Sequence, residues 1–419
     1  MKKLVLLISV LYFVILFTFS ASATWYDWQP MDGAPYTEDE TTKIIDHVVY
    51  KICETSAVNI HYDVYDFFDS KEAFETVEEI NIVPEIDGIK VKGIQCNFIY
   101  DDYLGHCHLY TDFHNYSVKK VTIPDTIEII GDGFFSALDG LEELVVPASV
   151  DLNENYHCFD NMESLKNLTI LGDIPYFPGD ISDKLESVTI NGSVTLISGG
   201  AFENCNSLKT FKVLGSIGGE RLGTTGGFGG KVFKNCTSLE EVVLPKEAKD
   251  FKFLRSDFEG CTSLKSITLP ETCGKLTIGE DTFRGCTALE TVTLPKKADS
   301  ITIGYRAFRD CKNLKTVNNT DNITKIYGGA FRDCTSLKSF TISDKTTMIG
   351  KNAFYGCKNL KTVTVNSEKK APKLYANAFA KTNSNIKFIA KNATAAKSWK
   401  TALTKSGLKT AKVGYMHYV

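Results

Sequence analysis

The chain has 419 residues, of which 43% are hydrophobic and 23% charged, a globular composition that excludes a disordered polypeptide. Its 47 basic and 51 acidic side chains leave a net charge of −4, which excludes a broad polyanion-binding surface, so we expect no nucleic-acid partner. The length suits about two or three ordinary domains or one long array of repeats.

The first 23 residues predict a secretory signal peptide. Lys2 and Lys3 precede an almost wholly apolar run over residues 4–19, and Ala21-Ser22-Ala23 fits the small-x-small rule for cleavage. The apolar run is too short and wrongly flanked for a membrane span, and no second long apolar segment follows it. We therefore expect a mature chain that begins at Thr24, is secreted or held at the cell surface, and has no integral membrane segment.

Residues 24–76 show no repeat and are predicted to form an N-terminal cap, because repeat proteins need such caps for solubility. The pattern predicts a short helix over residues 41–53 and a strand over residues 58–68, where apolar and polar residues alternate. Residues 24–115 hold 19 acidic side chains and 5 lysines, a charge of about −14.

Residues 77–389 repeat a strand pattern of the form apolar-x-x-apolar-x-apolar twelve times. Its last two apolar positions alternate with a polar one, as a half-buried strand requires, and a proline ends several copies. The copies begin at Val77, Val118, Leu141, Leu165, Leu185, Leu208, Leu239, Leu264, Leu289, Leu314, Leu337 and Leu360. One copy cannot bury its apolar face alone, so we predict that the copies stack.

Two further positions recur between the strands. A phenylalanine occurs at Phe135, Phe159, Phe202, Phe233, Phe258, Phe283, Phe308, Phe331, Phe354 and Phe379, and its later steps of 23 or 25 residues lie within the leucine-rich-repeat range of about 20–29. An apolar residue five positions earlier indicates a second extended segment, often followed by a glycine that suits a tight bend. Each coil is thus predicted to have two strands and a one-turn helical corner that carries the phenylalanine. The long step from Phe159 to Phe202 indicates a degenerate coil around Phe177.

Twelve cysteines in an exported chain usually suggest disulfides. Seven of them hold one place in the repeat, three residues after a phenylalanine: Cys205, Cys236, Cys261, Cys286, Cys311, Cys334 and Cys357. Leu138 and Met162 occupy that place in two other coils, so it is predicted to be a small dry pocket filled by a free thiol. Cys53, Cys96, Cys107 and Cys273 are among the five that lie outside it, and one disulfide among these four is left open.

The Ala-Phe-x-x-Cys-x-Ser-Leu run and the Leu-x-x-Val-x-Leu-Pro strand resemble the BspA-like leucine-rich repeat family of secreted and surface proteins over about residues 77–390. Residues 83–91 resemble its typical first repeat, whereas residues 99–117 and 215–230 depart from the pattern as insertions. The resemblance implies a mainly β fold with short helical corners, a curved right-handed solenoid with a parallel sheet and terminal caps. It also implies an extracellular location and adhesion to a protein or glycan.

Residues 390–419 are predicted to form a C-terminal cap, with a final strand at residues 386–389 before it. A short helix over residues 393–403, containing Trp399, is expected to lie over the last coil. Residues 381–419 hold eight lysines and no acidic residue, which suits a solvated end, head-to-tail attraction between molecules, or contact with an anionic cell surface.

One exposed position of the strand pattern alternates in charge from coil to coil. Lysine and glutamate take turns at Lys119, Glu142, Lys166, Glu186, Lys209, Glu240, Lys265, Glu290 and Lys315, which predicts pairing between neighbouring coils. The alternation ends in three successive lysines, Lys315, Lys338 and Lys361. Together with Thr341 and Thr364 they form the candidate binding patch, against the alternative of a plain solvated face.

Evidence for catalysis or cofactors is weak. His106, Cys107, His108 and His114, with Asp112, form the one cluster of metal-ligand types, but the spacing matches no established zinc site. The Gly-rich segment 215–230 lacks the lysine spacing of a phosphate loop. We therefore expect a non-enzymatic recognition protein without a cofactor. The alternative is an enzyme or metal-binding protein with its site in the N-terminal region or in the insertion 99–117.

Overall fold

The computed structural model describes residues 42–46, 48–56, 59–66, 76–94, 99–100, 107–108, 116–131, 135, 138–152, 159, 162–178, 181–217, 227–368 and 370–415. Its elements, in chain order, are β1 (Thr42–Ile45), β2 (Val48–Ser56), β3 (Asn59–Asp66), β4 (Glu79–Asn81), β5 (Glu85–Ile86), β6 (Ile89–Ile94), β7 (Ile99–Tyr100), β8 (Cys107–His108), β9 (Lys120–Thr122), β10 (Ile129–Ile130), β11 (Glu143–Val146), β12 (Asn167–Ile170), β13 (Ile174–Phe177), β14 (Ser187–Ile190), β15 (Val194–Ile197), β16 (Thr210–Val213), β17 (Gly227–Phe228), β18 (Glu241–Val243), β19 (Glu247–Ala248), β20 (Phe251–Phe253), β21 (Ser266–Thr268), β22 (Thr272–Ile278), β23 (Thr291–Thr293), β24 (Lys297–Ile303), β25 (Thr316–Asn318), a 3-10 turn (Thr320–Asn322), β26 (Ile323–Ile326), β27 (Ser339–Ile342), β28 (Met348–Ile349), β29 (Thr362–Val365), β30 (Lys373–Leu374), β31 (Lys387–Ala390), α1 (Ala393–Lys405) and β32 (Lys412–Tyr415).

The main sheet is parallel and is built from one strand per coil. Its first part runs in the order β4-β9-β11-β12-β14-β16-β18-β21-β23-β25, and its second part in the order β27-β29-β31-β32. All twelve strands predicted from the repeat are confirmed. The two parts separate at Asn319, which replaces the last apolar residue of the pattern, has a φ of 59° and donates its side-chain N–H to the Leu294 carbonyl at 2.9 Å.

The second sheet lies on the other side of each coil, in the order β13-β15-β17-β20-β22-β24-β26-β28-β30. It confirms the second extended segment, because Ile278 pairs with Ile303 and Ile303 with Ile326. The glycines after this position have a different cause from the predicted bend. A Cβ added at Gly304 would lie 2.6 Å from the Ile278 carbonyl oxygen, so glycine is required by the close approach of neighbouring coils.

The phenylalanines between the sheets form one continuous stack. From Phe202 to Phe379, successive ring centroids lie 4.9–5.2 Å apart with interplanar angles of at most 16°. Each ring is fully buried, and burying one contributes roughly 1.5–3 kcal/mol. Phe177 departs from the expected place. It ends β13 and pairs with Ile197, so the degenerate coil has its aromatic residue in the second sheet. The ring centroid of Phe177 lies 5.3 Å from that of Phe202.

From Phe202 to Phe379 the corners that carry these phenylalanines are hydrogen-bonded turns in place of the predicted one-turn helices, whereas Phe159 itself has a 3-10 conformation. Two left-handed residues four positions apart shape each turn, for example Arg306 with a φ of 52° and Asp310 with a φ of 62°. The N–H of Phe308 bonds to the Ala330 carbonyl of the next coil at 2.7 Å. The N–H groups of Arg309 and Cys311 bond three residues back within the turn. Because alternate N–H groups bond across coils, no continuous run of helical hydrogen bonds forms.

The N-terminal residues form strands where a helix was expected. β1 and β2 pair antiparallel around Asp46, whose φ is 47°, so the helix predicted over residues 41–53 is wrong. The segment is rich in Ile and Val, whose branched side chains favour strands. The predicted strand β3 is confirmed. It pairs parallel with β6, and β6 pairs with β10, so the N-terminal strands continue the edge of the coils.

The C-terminal helix is confirmed as α1. The Asn392 side chain accepts the Ala395 N–H at 2.9 Å and caps the helix. Trp399 is fully buried, and its ring lies 5.8 Å from that of Phe388. The sequence did not predict β32, which follows α1 and pairs parallel with β31 at the end of the main sheet.

We predict that Phe308→Ala lowers the free energy of unfolding by about 3–5 kcal/mol. The ring of Phe308 packs between those of Phe283 and Phe331, at 5.1 and 5.2 Å, and this packed stack cannot close the resulting cavity. Urea unfolding followed by circular dichroism measures the change. Thr302→Ala, at a half-exposed position of β24, is the control and should cost less than about 0.5 kcal/mol. A loss below about 1 kcal/mol for Phe308→Ala would contradict a main role of the stack.

Candidate binding surface

The exposed face of the main sheet carries a ladder of ion pairs between neighbouring coils. The pairs are Glu142–Lys166 at 2.8 Å, Glu186–Lys209 at 2.7 Å, Glu240–Lys265 at 3.8 Å and Glu290–Lys315 at 2.8 Å. A hydrogen bond from Lys209 lowers the pKa of Glu186 below its ordinary value. The predicted pairing is therefore confirmed, and along this ladder the fold neutralises its own charges.

The three candidate lysines have different surroundings. Lys315 lies 2.8 Å from Glu290, so a carboxylate within the fold balances its charge. Lys338 and Lys361 lie on the next two coils, are exposed, and have no carboxylate partner among the residues that the structure describes. Thr341 and Thr364 pair across β27 and β29 and lie half-exposed on the same face.

Two lysines that the sequence analysis missed extend this face. Lys387 and Lys412 are exposed and follow Thr362 at the same position of the next two strands. Neither has a carboxylate partner within the described part of the chain. We call Lys338, Lys361, Lys387 and Lys412 the basic face. The repeat pattern could not predict the place of Lys412, because β32 lies beyond the repeats and joins the sheet only after α1.

An open depression of about 630 Å³ adjoins the basic face. Its lining includes Lys387, Lys400 and Lys412 together with Phe388, Ile389, Ala411, Val413, Gly414 and Tyr415. α1 brings Lys400 next to lysines of β31 and β32. Ammonium groups around an apolar floor suit a ligand that carries an acidic group next to an apolar one.

The repeated cysteines are buried free thiols, as predicted. The thiol of Cys286 donates to the Phe258 carbonyl of the preceding coil at 3.1 Å, and burial raises its pKa far above the ordinary value. Cys273 is also free, with its pKa raised to about 11 by burial. A reactive cysteine needs an accessible thiolate, so these thiols stabilise the stack and offer no nucleophile.

We predict that Cys286→Ala costs only about 1 kcal/mol, since it leaves a small cavity. Cys286→Asp should prevent folding, because it buries an unpaired carboxylate. Thermal unfolding compares the two variants. Labelling of the native protein with iodoacetamide, read by peptide mass spectrometry, should leave the repeated cysteines unmodified, and rapid labelling of all seven would refute burial.

Asp257 is a fully buried carboxylate at a corner position where the next coil carries Thr282 and the later coils carry alanine. It accepts the N–H of Leu254 at 2.7 Å and that of Val232 at 3.4 Å. Burial nevertheless raises its pKa to about 7. Such a carboxylate links the turns of two coils and makes the stability of the stack depend on pH.

We predict that the contribution of Asp257 to stability falls as the pH rises. Its pKa is about 7 in the fold and 3.8 ordinarily, so the folded state binds the proton more tightly. The contribution is fully present below about pH 4 and is lost as the pH rises through about 7. Urea unfolding of the wild type and of Asp257→Ala across this range should show the wild type losing stability relative to the variant. A constant difference would contradict the raised pKa.

The other candidate sites fall mainly outside the described residues. Cys107 and His108 form β8, which pairs with β7, whereas His106, Asp112 and His114 lie outside them, as does the signal segment. In the described part of the chain no group of three His, Cys, Asp or Glu side chains could hold a metal. The described helix is too short and too polar to cross a bilayer. Residues 218–226 of the Gly-rich insertion also lie outside.

The stacked parallel strands, the buried phenylalanines and the exposed sheet face define a leucine-rich-repeat solenoid. The chain matches the BspA type leucine rich repeat region in six copies, over residues 110–219, 226–302 and 252–387. This match covers more than half of the 419 residues, so the chain belongs to the BspA type leucine-rich repeat family. Such repeats typically mediate protein interactions and are generally non-enzymatic.

Several solved structures are similar. A leucine-rich repeat protein from Bacteroides ovatus is 19% identical, with 90% of this chain and 100% of that chain covered and a TM-score of 0.40. The T. pallidum leucine rich repeat protein is 23% identical, with 44% and 82% covered and a TM-score of 0.36. One from Eubacterium ventriosum is 20% identical, with 66% and 88% covered and a TM-score of 0.34. Comparison with curated proteins finds no match.

Proposed function

We propose that the protein is an exported, non-enzymatic recognition or adhesion protein that binds an acidic protein or glycan at the cell surface through the basic face. The observation that carries the proposal is the change in charge along the main sheet. Upstream, glutamates pair with lysines of neighbouring coils, whereas Lys338, Lys361, Lys387 and Lys412 have no carboxylate partner among the described residues.

Electrostatics supports a binding role for this face. Parallel strands lie about 4.8 Å apart, so like charges in neighbouring coils repel one another. An acidic partner would remove that repulsion and gain ion pairs. The strands that contain or directly follow these lysines are already paired with their neighbours before binding, which lowers the entropy lost on association. Export is supported by the signal pattern of residues 1–23, and a surface location by the family.

We predict that the triple variant Lys338→Glu, Lys361→Glu, Lys387→Glu binds poly-L-glutamate at least about tenfold more weakly than the wild type. Each reversal removes an exposed ion pair, roughly 0.2–1 kcal/mol, and adds repulsion. Isothermal titration calorimetry at two salt concentrations measures the affinity. The wild-type affinity should fall with salt and that of the variant should change little.

The matched control reverses the same number of charges on the second sheet. Lys252, Lys275 and Lys325 are exposed there, and their replacement by glutamate gives an equal change in net charge. This control should keep most of the wild-type affinity. Equal losses in both triple variants would mean that only net charge matters, and unchanged binding by the basic-face variant would refute the proposed site.

A further inference from the structure

Four tyrosines line the turns of the C-terminal coils, away from the basic face. Tyr305 is 54% exposed and Tyr375 39% exposed, while Tyr327 and Tyr355 are half-buried. The rings of Tyr305 and Tyr327 lie 5.0 Å apart. Tyrosine is enriched at binding hot spots, because it offers a large apolar ring at low entropic cost. We call this row the tyrosine edge.

Two of the tyrosines hold one position of the repeat, and a glycine holds it in the coil between them. Tyr327, Gly350 and Tyr375 follow the paired residues of three successive strands, so they hold the same place in three coils. Gly350 has no side chain there, and the space beside it is filled by the preceding coil, since an added Cβ would clash with the backbone of Tyr327 and Gly328. Tyr327 and Tyr375 stand two coil steps apart, and the phenylalanine stack gives those steps as 5.1 and 4.9 Å. Tyrosines thus recur on alternate coils along this edge.

The tyrosine edge is also cationic. The ammonium of Lys373 lies 4.6 Å from the ring centroid of Tyr375, and Lys351, which follows Gly350, is exposed. Within the described residues neither lysine has a carboxylate partner. The guanidinium of Arg332 lies 5.0 Å from the ring centroid of Tyr355, although Asp333 balances its charge at 3.2 Å.

The backbone of this edge offers no site for an added strand. The N–H groups of Tyr327, Gly350 and Tyr375 bond to carbonyls of the preceding coil at 2.9, 2.8 and 2.9 Å. A peptide therefore cannot pair with the edge as a further strand, which is a common mode of peptide recognition. A pyranose ring needs no backbone partner, because its C–H groups on one side can pack against the face of an aromatic ring.

We infer that the tyrosine edge binds an acidic polysaccharide, with sugar rings packed on Tyr327 and Tyr375 and carboxylates held by Lys351 and Lys373. The row of coils runs in one direction, so a linear chain can follow it and contact successive rings. This site lies apart from the basic face and does not depend on the function proposed for that face. The protein therefore has two recognition surfaces, one on the main sheet and one on the turns.

Calorimetry with short β-1,4-linked oligomannuronate tests the inference, with cello-oligosaccharide as the neutral probe. The wild type should bind the acidic probe more tightly than the neutral one. The double variant Tyr327→Ala, Tyr375→Ala should bind it at least about tenfold more weakly. The double variant Lys351→Ala, Lys373→Ala should lose the preference for the acidic probe.

Tyr116→Ala is the matched control, because Tyr116 is 66% exposed and lies near the other end of the stack; it should bind as the wild type does. Thermal unfolding should be unchanged in the lysine variant, whose replaced side chains are exposed, and should remain cooperative in the tyrosine variant, in which, among the described residues, only the half-buried Tyr327 has a ring neighbour. Binding of poly-L-glutamate should also be unchanged in the tyrosine double variant, which separates this site from the basic face. Absence of binding, equal affinity for the neutral probe, or full affinity in the tyrosine variant would overturn the inference.

Discussion

The structure depends on backbone hydrogen bonding between coils, which holds every residue about one strand spacing from its equivalent in the next coil. This spacing brings the centroids of successive phenylalanine rings to within 4.9–5.2 Å of each other, close enough for the rings to stack face to face. It also brings each repeated thiol from Cys236 onward to the carbonyl of a phenylalanine in the preceding coil, as Cys286 does with Phe258 at 3.1 Å. Where two backbones approach most closely, as at Gly304, no Cβ fits. The phenylalanine, cysteine and glycine positions of the repeat thus follow from the fixed spacing between successive coils.

The same spacing between coils determines which surface charges are neighbours. A charge on one coil always meets the charge at the same position of the next, so alternation of sign stabilises the sheet face and repetition of sign opposes it. The fold obeys this rule from Glu142 to Lys315. Beyond that point lysines succeed one another on the sheet, and tyrosines appear on the turns. Both departures occur in the C-terminal coils, where packing is as regular as elsewhere, so folding alone does not account for them.

The sequence predicted most of the fold, because a fixed repeat period and the need to bury the repeated apolar side chains leave few alternative arrangements of the chain. The twelve strands, the phenylalanine stack, the free thiols and the helix over Trp399 all follow from spacing and side-chain volume. The errors have local causes. Residues 41–53 carry apolar side chains at spacings that suit a helix as well as a strand, and pairing with the next strand decided between them. The corners contain residues with a positive φ, such as Arg306 and Asp310, and these residue types do not by themselves predict that conformation.

By itself the sequence determined which side chains are buried, which coils they belong to and how charges alternate between neighbours, because these properties repeat along the chain with a fixed period. Only the tertiary structure decided which surface residues lie together. Lys412 joins Lys387 because β32 returns to the sheet after α1, and the ring of Tyr305 lies 5.0 Å from that of Tyr327 although the two tyrosines hold different positions of the repeat. Neither grouping follows from spacing along the chain, since in each case the contact depends on the register of strands that are distant in sequence.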